Sequence, residues 1–460
     1  MTLDTFFCPK QVVVIGASNA MFNLGATICN ILKHIQYDAD VYAVNRKGED
    51  VGECKGYLSV LDIPGPIDLA VIITPAAVVP KFVKECGQKG IKHIIIESSG
   101  FSESGGEGSK IQQEVDTYTK QYGIRYLGPN CLGVLNTDNK FVCFYGALPG
   151  VTMFSGFLNV SAGEVSYVIQ SGGVGVLILD AFRTDVSKVL KMVSIGNKAD
   201  IDESDLLEYF NSDNTKVIGM YLENIQKGRK LFETAQKVKK PILVFKVGRT
   251  AEGALAATSH TAGMANNDIV FEHACKQAGI LRLQSIRELH SLPKMFTHMP
   301  PLRGKRIAMI TNSGAFGGIT ADLLVENGLE MASISKTTQE KLRQTGTLYN
   351  TANPVDLGPA LSLQTFLDIY DILLSSDEID GLLPVPNVWQ EIVIEGIIEL
   401  IAMCKKYQKP AAIYIPNAVD RILAIRTKYQ IPVFESLEEA VRALSVSYQQ
   451  YRYRMKKDSY

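Results

Sequence analysis

Residues 165–182, VSYVIQSGGVGVLILDAF, contain an apolar run, a turn of small residues and a second apolar stretch with helical spacing. The β-branched and aromatic residues before the turn predict a buried strand, and Gly172 and Gly173 mark the turn. The pattern recurs at 11–32, QVVVIGASNAMFNLGATICNIL, and at 306–328, RIAMITNSGAFGGITADLLVENG. Each copy opens a stretch in which strand and helix patterns alternate. The sequence therefore predicts parallel α/β sheets with helices on both faces.

Two loose stretches, at 147–163 and 299–306, divide the chain of 460 residues into three modules. A chain of this length exceeds one hydrophobic core, so we expect domains at residues 1–148, 160–298 and 304–460. Each module has further predicted strands. They are ADVYAVN, DLAVIITP, HIIIESSG and IRYLGPN in the first, VLKMVSIGN, VIGMYLENI and PILVFKVG in the second, and GLLPVP, AAIYIP and IPVFES in the third.

Composition excludes several classes of function. The formal net charge is -1 with no long block of one sign, so no nucleic-acid partner is expected. The eight cysteines form no C-x-x-C pair, which argues against a zinc or redox motif and for a reducing compartment. The short apolar run near the start predicts a strand, and no uninterrupted apolar segment is long enough for a membrane span. We therefore expect a cytoplasmic protein without a membrane partner.

The first turn, Gly16, Ala17 and Ser18, lacks the full G-x-G-x-x-G pattern of dinucleotide sites. The predicted second strand ends at Asn45, Arg46 and Lys47, where an NAD site would carry an acidic residue. Basic groups there favour a phosphorylated adenosine, either NADP or the 3′-phosphate of coenzyme A. The competing interpretation is a loop with two solvated charges.

The turn after the strand at 165–169 is a candidate anion site. Ser171 can cap the following helix, and Gly172 and Gly173 let an anion approach the backbone N–H groups. The competing interpretation is simply a capped helix. A similar turn at Ser313 and Gly314 means that neither turn can be assumed functional from its sequence alone.

His260 lies within ALAATSHTAGMANND, residues 254–268, where no bulky apolar side chain is within three residues of it. We therefore predict a flexible loop on the same sheet edge as the Ser171 turn, followed by a helix that starts near Asn267. Glu223 ends a strand at that edge, and its carboxylate could accept the Nδ1–H and leave Nε2 as a nucleophile. The alternative is a histidine without a catalytic role.

These motifs together resemble the α subunit of NDP-forming acyl-CoA synthetases, the ADP-forming acetate–CoA ligases of the succinyl-CoA synthetase superfamily. The resemblance covers essentially the whole chain and implies a Rossmann-like CoA-binding domain followed by two flavodoxin-like ligase domains. The matching motifs are VIGAS at 14–18, NRKG at 45–48, GPNCLG at 128–133, QSGGVG at 170–175, SIGNKADIDESDLLEYF at 194–210, YLENI at 221–225, SHTAG at 259–263 and NPVDLG at 353–358.

The resemblance also implies roles for individual residues. His260 would be the phosphohistidine, and Glu223 would hold its imidazole. The phosphate-binding turn would comprise Gln170, Ser171, Gly172 and Gly173. The CoA site would comprise Gly16, Ala17, Ser18, Lys47, Pro75, Asn130 and Cys131. No metal ligand in this chain is implied.

The implied reaction interconverts acyl-CoA, phosphate and ADP with an acid, CoA and ATP, with Mg²⁺ accompanying the nucleotide. The acid would be acetate or a related short-chain or aryl acid. The resemblance implies that nucleotide binds to an ATP-grasp domain, which the family carries on a β chain or a C-terminal fusion, and here we expect a separate β subunit in an α₂β₂ assembly. The chain itself shows no Walker-type stretch. Two alternatives remain open. One is a CoA-binding sensor or scaffold without turnover, and the other is an NADP-dependent dehydrogenase.

Overall fold

A computed structural model describes residues 3–144, 162–261, 267–346, 348–358, 362–387, 391–417 and 419–458, with only the backbone of 257–261 and 458. The chain divides into two compact units. The first comprises Met1–Arg183 and Lys188–Gln284, and the second comprises Thr184–Ser187 and Ser285–Tyr460. No helix among the described residues is both long enough and apolar enough to cross a membrane.

The first sheet has six parallel strands in the order β3-β2-β1-β4-β5-β6. This is the order of dinucleotide-binding folds, in which ligands bind beyond the carboxyl ends of the strands beside β1. The strands are β1 Gln11–Ile15, β2 Asp40–Val44, β3 Lys55–Tyr57, β4 Leu69–Ile72, β5 His93–Ile96 and β6 Arg125–Leu127. The helices are α1 Leu24–His34, α2 Val79–Lys89 and α3 Gly106–Tyr122, with short 3-10 turns at Asp4–Phe6, Val60–Asp62, Ala76–Val78 and Ser102–Ser104. Helices cover a sheet whose central strands are continuously apolar, which is why VVVI of β1 is fully buried.

The second sheet has seven strands in the order β13-β12-β11-β9-β10-β7-β8. They are β7 Gly133–Asn136, β8 Phe141–Phe144, β9 Val165–Ile169, β10 Val189–Ser194, β11 Val217–Leu222, β12 Ile242–Lys246 and β13 Ile280–Arg282. Five strands run parallel, and the β7–β8 hairpin joins the edge of β10 in antiparallel register. The helices are α4 Gly172–Ala181, α5 Glu203–Ser212, α6 Gly228–Lys237, α7 Ala251–Thr261 and α8 Asp268–Ala278.

The β7–β8 hairpin belongs to the second sheet, although the domain limit expected at residue 148 would have placed it with the first. Strands β7 and β8 precede that limit, yet they hydrogen-bond to the second sheet, so the first sheet ends with β6 at Leu127. Burial drives this pairing, since Val134, Leu135 and Cys143 are all enclosed in the core. The first two predicted domains therefore share one compact unit.

The second unit is also α/β. Its main sheet joins β14 Arg306–Thr311 in parallel to β15 Glu330–Met331, β16 Val355–Asp356 and β17 Gly381–Val385, and a second parallel pair is β18 Ile413–Tyr414 with β19 Val433–Phe434. The helices are α9 Glu288–Ser291, α10 Pro293–His298, α11 Phe316–Glu326, α12 Lys336–Gln344, α13 Leu363–Ser375, α14 Glu391–Tyr407, α15 Val419–Tyr429 and α16 Leu437–Asp458. The prediction of an α/β fold with parallel sheets is confirmed.

The main segment of the second unit begins at residue 285, earlier than the limit expected at 298, and the same unit contains Thr184–Ser187. The reason is a buried ion pair between Lys294 and Asp185, with 2.6 Å between Nζ and Oδ2. Lys294 also donates to the carbonyl of Val433 on β19 over 3.3 Å. A charge buried to this degree needs its partners, so the segment that carries Lys294 stays with the second unit.

Candidate functional site

Three predicted CoA-site residues lie at the carboxyl ends of neighbouring strands of the first sheet. Gly16 follows β1, Lys47 follows β2 and Pro75 follows β4. Gly16 has a φ of +100°, and a Cβ there would lie 2.0 Å from the carbonyl oxygen of Ile73. Only glycine fits this turn. The Lys47 side chain is 78% exposed, with its Nζ 3.9 Å from a carboxylate oxygen of Glu49, so it can turn towards a ligand phosphate.

The turn before α1 is held by Asn23, which the sequence analysis did not select. The Asn23 side chain accepts hydrogen bonds from the N–H of Ala26 at 2.8 Å and of Ser18 at 3.1 Å. Its amide donates to the carbonyl of Gly16 over 3.0 Å. Ala17 is fully buried beneath the turn. Asn23 therefore shapes the predicted CoA turn, and the signal for it was an N-cap residue directly before a helical pattern.

A second site in the first unit is a polar cleft of about 270 Å³. The end of the first sheet supplies one wall and the carboxyl ends of β9, β10 and β11 supply the others. The lining residues are Asn130, Cys131, Leu132, Gln170, Ser171, Gly172, Gly173, Gly196, Asn197, Glu223 and Asn224. The structure thus brings together Asn130 and Cys131, the four residues of the Ser171 turn (170–173) and Glu223.

The Ser171 turn places the amino end of α4 at this cleft. Ser171 is the N-cap residue but makes no side-chain capping hydrogen bond, so the prediction that it caps the helix was wrong. The first N–H groups of a helix have no partner within it, and they attract anions. A Cβ on Gly172 would lie 2.6 Å from Cγ of Leu132, whereas one on Gly173 would meet no described atom within 4 Å. Gly172 therefore permits close packing, and Gly173 leaves space in the cleft.

Gln170 is buried, and its amide connects the Ser171 turn to the residues after β11. Its Oε1 accepts from the N–H of Glu223 at 2.8 Å and of Asn224 at 3.2 Å. Its Nε2 donates to Oδ1 of Asn224 over 3.2 Å. These bonds assign Gln170 a positioning role, because its amide oxygen faces Glu223 and Asn224.

Lys198 and Glu203 were missed by the sequence analysis. The side chain of Lys198 is fully buried, and its Nζ lies 2.9 Å from Oε2 of Glu203 and 2.7 Å from the carbonyl oxygen of Asn224. Burial holds this ion pair in a low-dielectric environment and fixes the backbone beside Glu223. Both residues lie within the family motif at 194–210, but local sequence did not show that they are buried, because charged residues near the start of a helix are usually solvated.

Among the described residues, no group of three histidine, cysteine, aspartate or glutamate side chains could hold a metal ion. All eight cysteines are free thiols. The groups that the cleft offers to a ligand are the electropositive amino end of α4, the amide and hydroxyl groups of its lining residues, and the carboxylate of Glu223. These groups suit a phosphate and an acyl transfer beside it.

Comparison with known proteins agrees with this geometry. Residues 10–137 match the family described as CoA binding domain, and residues 162–296 match the Succinyl-CoA ligase like flavodoxin domain. The chain is 34% identical to subunit alpha of Acetate–CoA ligase [ADP-forming] I from Pyrococcus furiosus, and the match covers 99% of both proteins. The chain belongs to the family of ADP-forming acetate–CoA ligases.

Two further proteins extend the comparison. Acetate–CoA ligase [ADP-forming] II from Archaeoglobus fulgidus is 34% identical over 96% of this chain, but the match spans 66% of that protein. The dinucleotide forming Acetyl-coenzyme A synthetase 1 of Ca. Korarchaeum cryptofilum, solved with phosphate and ADP, superposes with a TM-score of 0.90. It is 28% identical, and the match covers 99% of this chain and 98% of that one.

The backbone of His260, the predicted phosphohistidine, lies in a helix. The backbone of residues 251–261 forms α7, so the expectation of a flexible loop around His260 was wrong over that range. The His260 side chain and residues 262–266 lie outside the described part of the chain. The following helix, α8, starts as predicted, with Asn267 as its N-cap accepting from Ile269 and Val270 at 3.0 and 3.2 Å.

Proposed function

We propose that this chain is the α subunit of an ADP-forming acid–CoA ligase. It would interconvert acyl-CoA, phosphate and ADP with a carboxylic acid, CoA and ATP through an acyl phosphate and a phosphohistidine at His260. One observation carries the proposal. The cleft joins the turn that contains Asn130 and Cys131 to the Ser171 turn and Glu223. Such a cleft can hold a thioester and a phosphate side by side.

In the proposed first step, phosphate binds at the amino end of α4, where Ser171, Gly172 and Gly173 line the cleft. A phosphate oxygen attacks the thioester carbonyl carbon, the C–S bond breaks, and acyl phosphate and CoA form. In the second step, Nε2 of His260 attacks phosphorus and the P–O bond to the acyl group breaks, releasing the acid. Glu223, positioned by Gln170, would orient the imidazole by accepting its Nδ1–H.

Coenzyme A would lie along the carboxyl edge of the first sheet. Gly16, Ala17 and Ser18 form the turn at β1, Lys47 reaches the 3′-phosphate and Pro75 lines the other side. The thiol end would reach Asn130 and Cys131 in the cleft. This course requires CoA to cross from one sheet to the other, which the shared compact unit of the two sheets allows.

The nucleotide step would need a partner. We propose that an ATP-grasp β subunit, in an α₂β₂ assembly, binds ADP or ATP with its Mg²⁺ and accepts the phosphoryl group from His260. The longer family member, of which this chain spans 66%, supports a further segment that works with this one. The acid would be acetate or a related short-chain or aryl acid. The isolated chain should not make acyl-CoA from acid, CoA and ATP, and sustained turnover without a partner would contradict this assignment.

The proposal is tested by phosphoryl labelling. The full chain is incubated with ³²P-phosphate and a panel of short-chain and aryl acyl-CoAs, and we expect an acid-labile, base-stable label. His260→Ala should abolish the label, whereas the control His273→Ala, at an exposed position of α8, should retain it. Label that persists in His260→Ala would refute the phosphohistidine. Tight CoA binding with no label for any acyl-CoA would favour a CoA sensor, and binding of NADP in place of CoA would favour a dehydrogenase.

A further inference from the structure

Asn224 carries an enclosed amide that lines the cleft and has no role in the mechanism proposed so far. It follows Glu223 after β11, and the residue is 6% exposed. Its Oδ1 accepts from Nε2 of Gln170 at 3.2 Å. Its Nδ2 has no acceptor among the described residues, and it is not one of their fully enclosed polar atoms. An enclosed donor is costly to leave unpaired, so a ligand in the cleft is the partner to expect.

The hydrogen bonds of Gln170 fix which end of the Asn224 amide is free for that ligand. Oε1 of Gln170 accepts from the backbone N–H groups of Glu223 and Asn224, which can only donate. The nitrogen of the Gln170 amide therefore points to the Asn224 side chain, and the atom that it meets there must be the oxygen. The Asn224 nitrogen lies at the other end of this series of bonds. The arrangement thus presents hydrogen-bond donors to the cleft.

The backbone that carries Asn224 is held by buried contacts. Nζ of Lys198, whose side chain is fully buried, lies 2.7 Å from the carbonyl oxygen of Asn224. The backbone N–H of the same residue is bonded to Gln170. A donor fixed in this way, in an enclosed site of low dielectric, stabilises a developing negative charge without reorganisation when the charge forms.

Two negative charges arise in the proposed acyl transfer. Phosphate brings one, and the N–H groups at the amino end of α4 serve it. The other forms on the thioester carbonyl oxygen when phosphate attacks, and it still needs a donor. The amides of Asn130 and Asn197 also line the cleft, but Asn130 is exposed and donates to Asn197, and Asn197 donates to Glu103 at 2.5 Å. Asn224 is therefore the enclosed donor best suited to the second charge.

We propose that Asn224 donates a hydrogen bond to the thioester carbonyl oxygen and stabilises the oxyanion that forms there. This inference rests on the proposed function. As an oxygen of HPO₄²⁻ bonds to the carbonyl carbon, the π electron pair moves onto the carbonyl oxygen, which accepts the N–H of Asn224. The double bond then re-forms, the C–S bond breaks with its electron pair on sulfur, and the phosphate proton passes to that sulfur. Acyl phosphate and CoA result, and Asn224 keeps its hydrogens throughout.

The first test is the rate of thiol release by Asn224→Ala. The full chain is mixed with acyl-CoA and phosphate, and free thiol is followed with a chromogenic reagent. We expect kcat to fall by about 10²-fold or more, as loss of one oxyanion donor does. The KM for phosphate and the CoA dissociation constant should stay at their wild-type values. The control Asn211→Ala removes an amide that accepts from the N–H of Lys239 at 2.9 Å, away from the cleft, and should keep the wild-type kcat.

A vibrational spectrum tests the contact itself without turnover. Acetyl-CoA and benzoyl-CoA, labelled with ¹³C at the thioester carbonyl, are bound to the full chain in the absence of phosphate. A hydrogen bond to the carbonyl oxygen weakens the C=O bond, so the bound ligand should absorb at a lower wavenumber in the wild type than in Asn224→Ala. If the alanine variant does not fold, Asn224→Asp is compared in its place, because it keeps the size of the side chain and an oxygen for Gln170 but removes the N–H donors.

Two results would overturn the inference. One is the same carbonyl frequency in the wild type and the variant. The other is a raised KM for phosphate with an unchanged kcat, which would assign the Asn224 donor to phosphate instead. Wild-type protein that binds acyl-CoA but shows no phosphate-dependent thiol release refutes the proposed function itself, and the carbonyl frequencies still report whether Asn224 contacts the thioester.

Discussion

Replacement of Lys198 by methionine should destabilise the first unit strongly and disturb the cleft. The wild-type ammonium of Lys198 donates to the carboxylate of Glu203 at 2.9 Å and to the carbonyl of Asn224 at 2.7 Å. The side chains of Lys198 and Glu203 are 0% and 2% exposed. Methionine fills similar volume but leaves a buried carboxylate unpaired. Breaking such a pair from one side costs about 3–5 kcal/mol, so we expect a loss of about 4 kcal/mol in the free energy of unfolding.

The assay is urea denaturation of Lys198→Met, Glu203→Leu and the double variant, read on the transition of the first unit. The double variant should regain most of the loss, because an apolar replacement for both partners removes the unpaired charge. As a control, Lys216→Met breaks the exposed ion pair with Glu164 and should cost less than about 1 kcal/mol. A Lys198→Met loss as small as that of the control, or a double variant no better than the single one, would refute the reasoning.

The same variants also test the connection between this pair and the cleft. Both Lys198→Met and the double variant remove the donor to the carbonyl of Asn224, which follows Glu223 in the chain. Phosphoryl labelling of the chain should therefore stay slow in the double variant even where its stability recovers. Full recovery of labelling would mean that the hydrogen bond to Asn224 does not position Glu223.

Three other outcomes are expected. Glu223→Gln should slow labelling of His260 by about 10²-fold, because the orienting carboxylate is lost, while calorimetry shows unchanged CoA affinity; normal labelling would exclude Glu223 from the reaction. Lys47→Ala should weaken CoA by about 1 kcal/mol more than dephospho-CoA in the same titration, since we propose that its exposed ammonium contacts the 3′-phosphate; equal losses would contradict this. Glu97 follows β5 and is buried, and burial raises its pKa well above the ordinary value. Glu97→Gln should unfold at a higher urea concentration than the wild type at pH 7. The raised pKa of Glu97 means that the wild-type chain must take up a proton on folding at this pH, which lowers its stability, and glutamine removes that cost. The stability difference between the two proteins should shrink towards about pH 4, where Glu97 is also protonated in the unfolded chain. A pH-independent difference would mean that Glu97 is ionised in the folded protein.

Local sequence was sufficient for the repeated strand, turn and helix units. The apolar runs that became β1, β9 and β14 are each followed by small residues because the chain must turn tightly at the sheet edge. That pattern also located the Ser171 turn and Glu223, since the carboxyl ends of parallel strands meet at one edge. The family motifs then supplied their chemical interpretation.

Other features depend on residues that are distant in the chain. The β7–β8 hairpin was expected with the first module, but its apolar faces are buried against β10, and strand pairing of this kind leaves no local mark. The backbone at His260 is helical although its small residues suggested a loop. That error was local, because four of the eleven residues of α7 are alanine, the residue with the highest helix propensity.

Local sequence did not show which charged residues are buried. Lys198 and Glu97 stand beside ordinary turn residues, where a charged side chain is usually solvated. Burial is set by the elements that pack around a residue, and those elements come from segments tens of residues away. The chain's local pattern therefore determined where the strands end and which groups reach that edge, whereas tertiary packing determined which of its charges are removed from water and thereby altered in their chemistry.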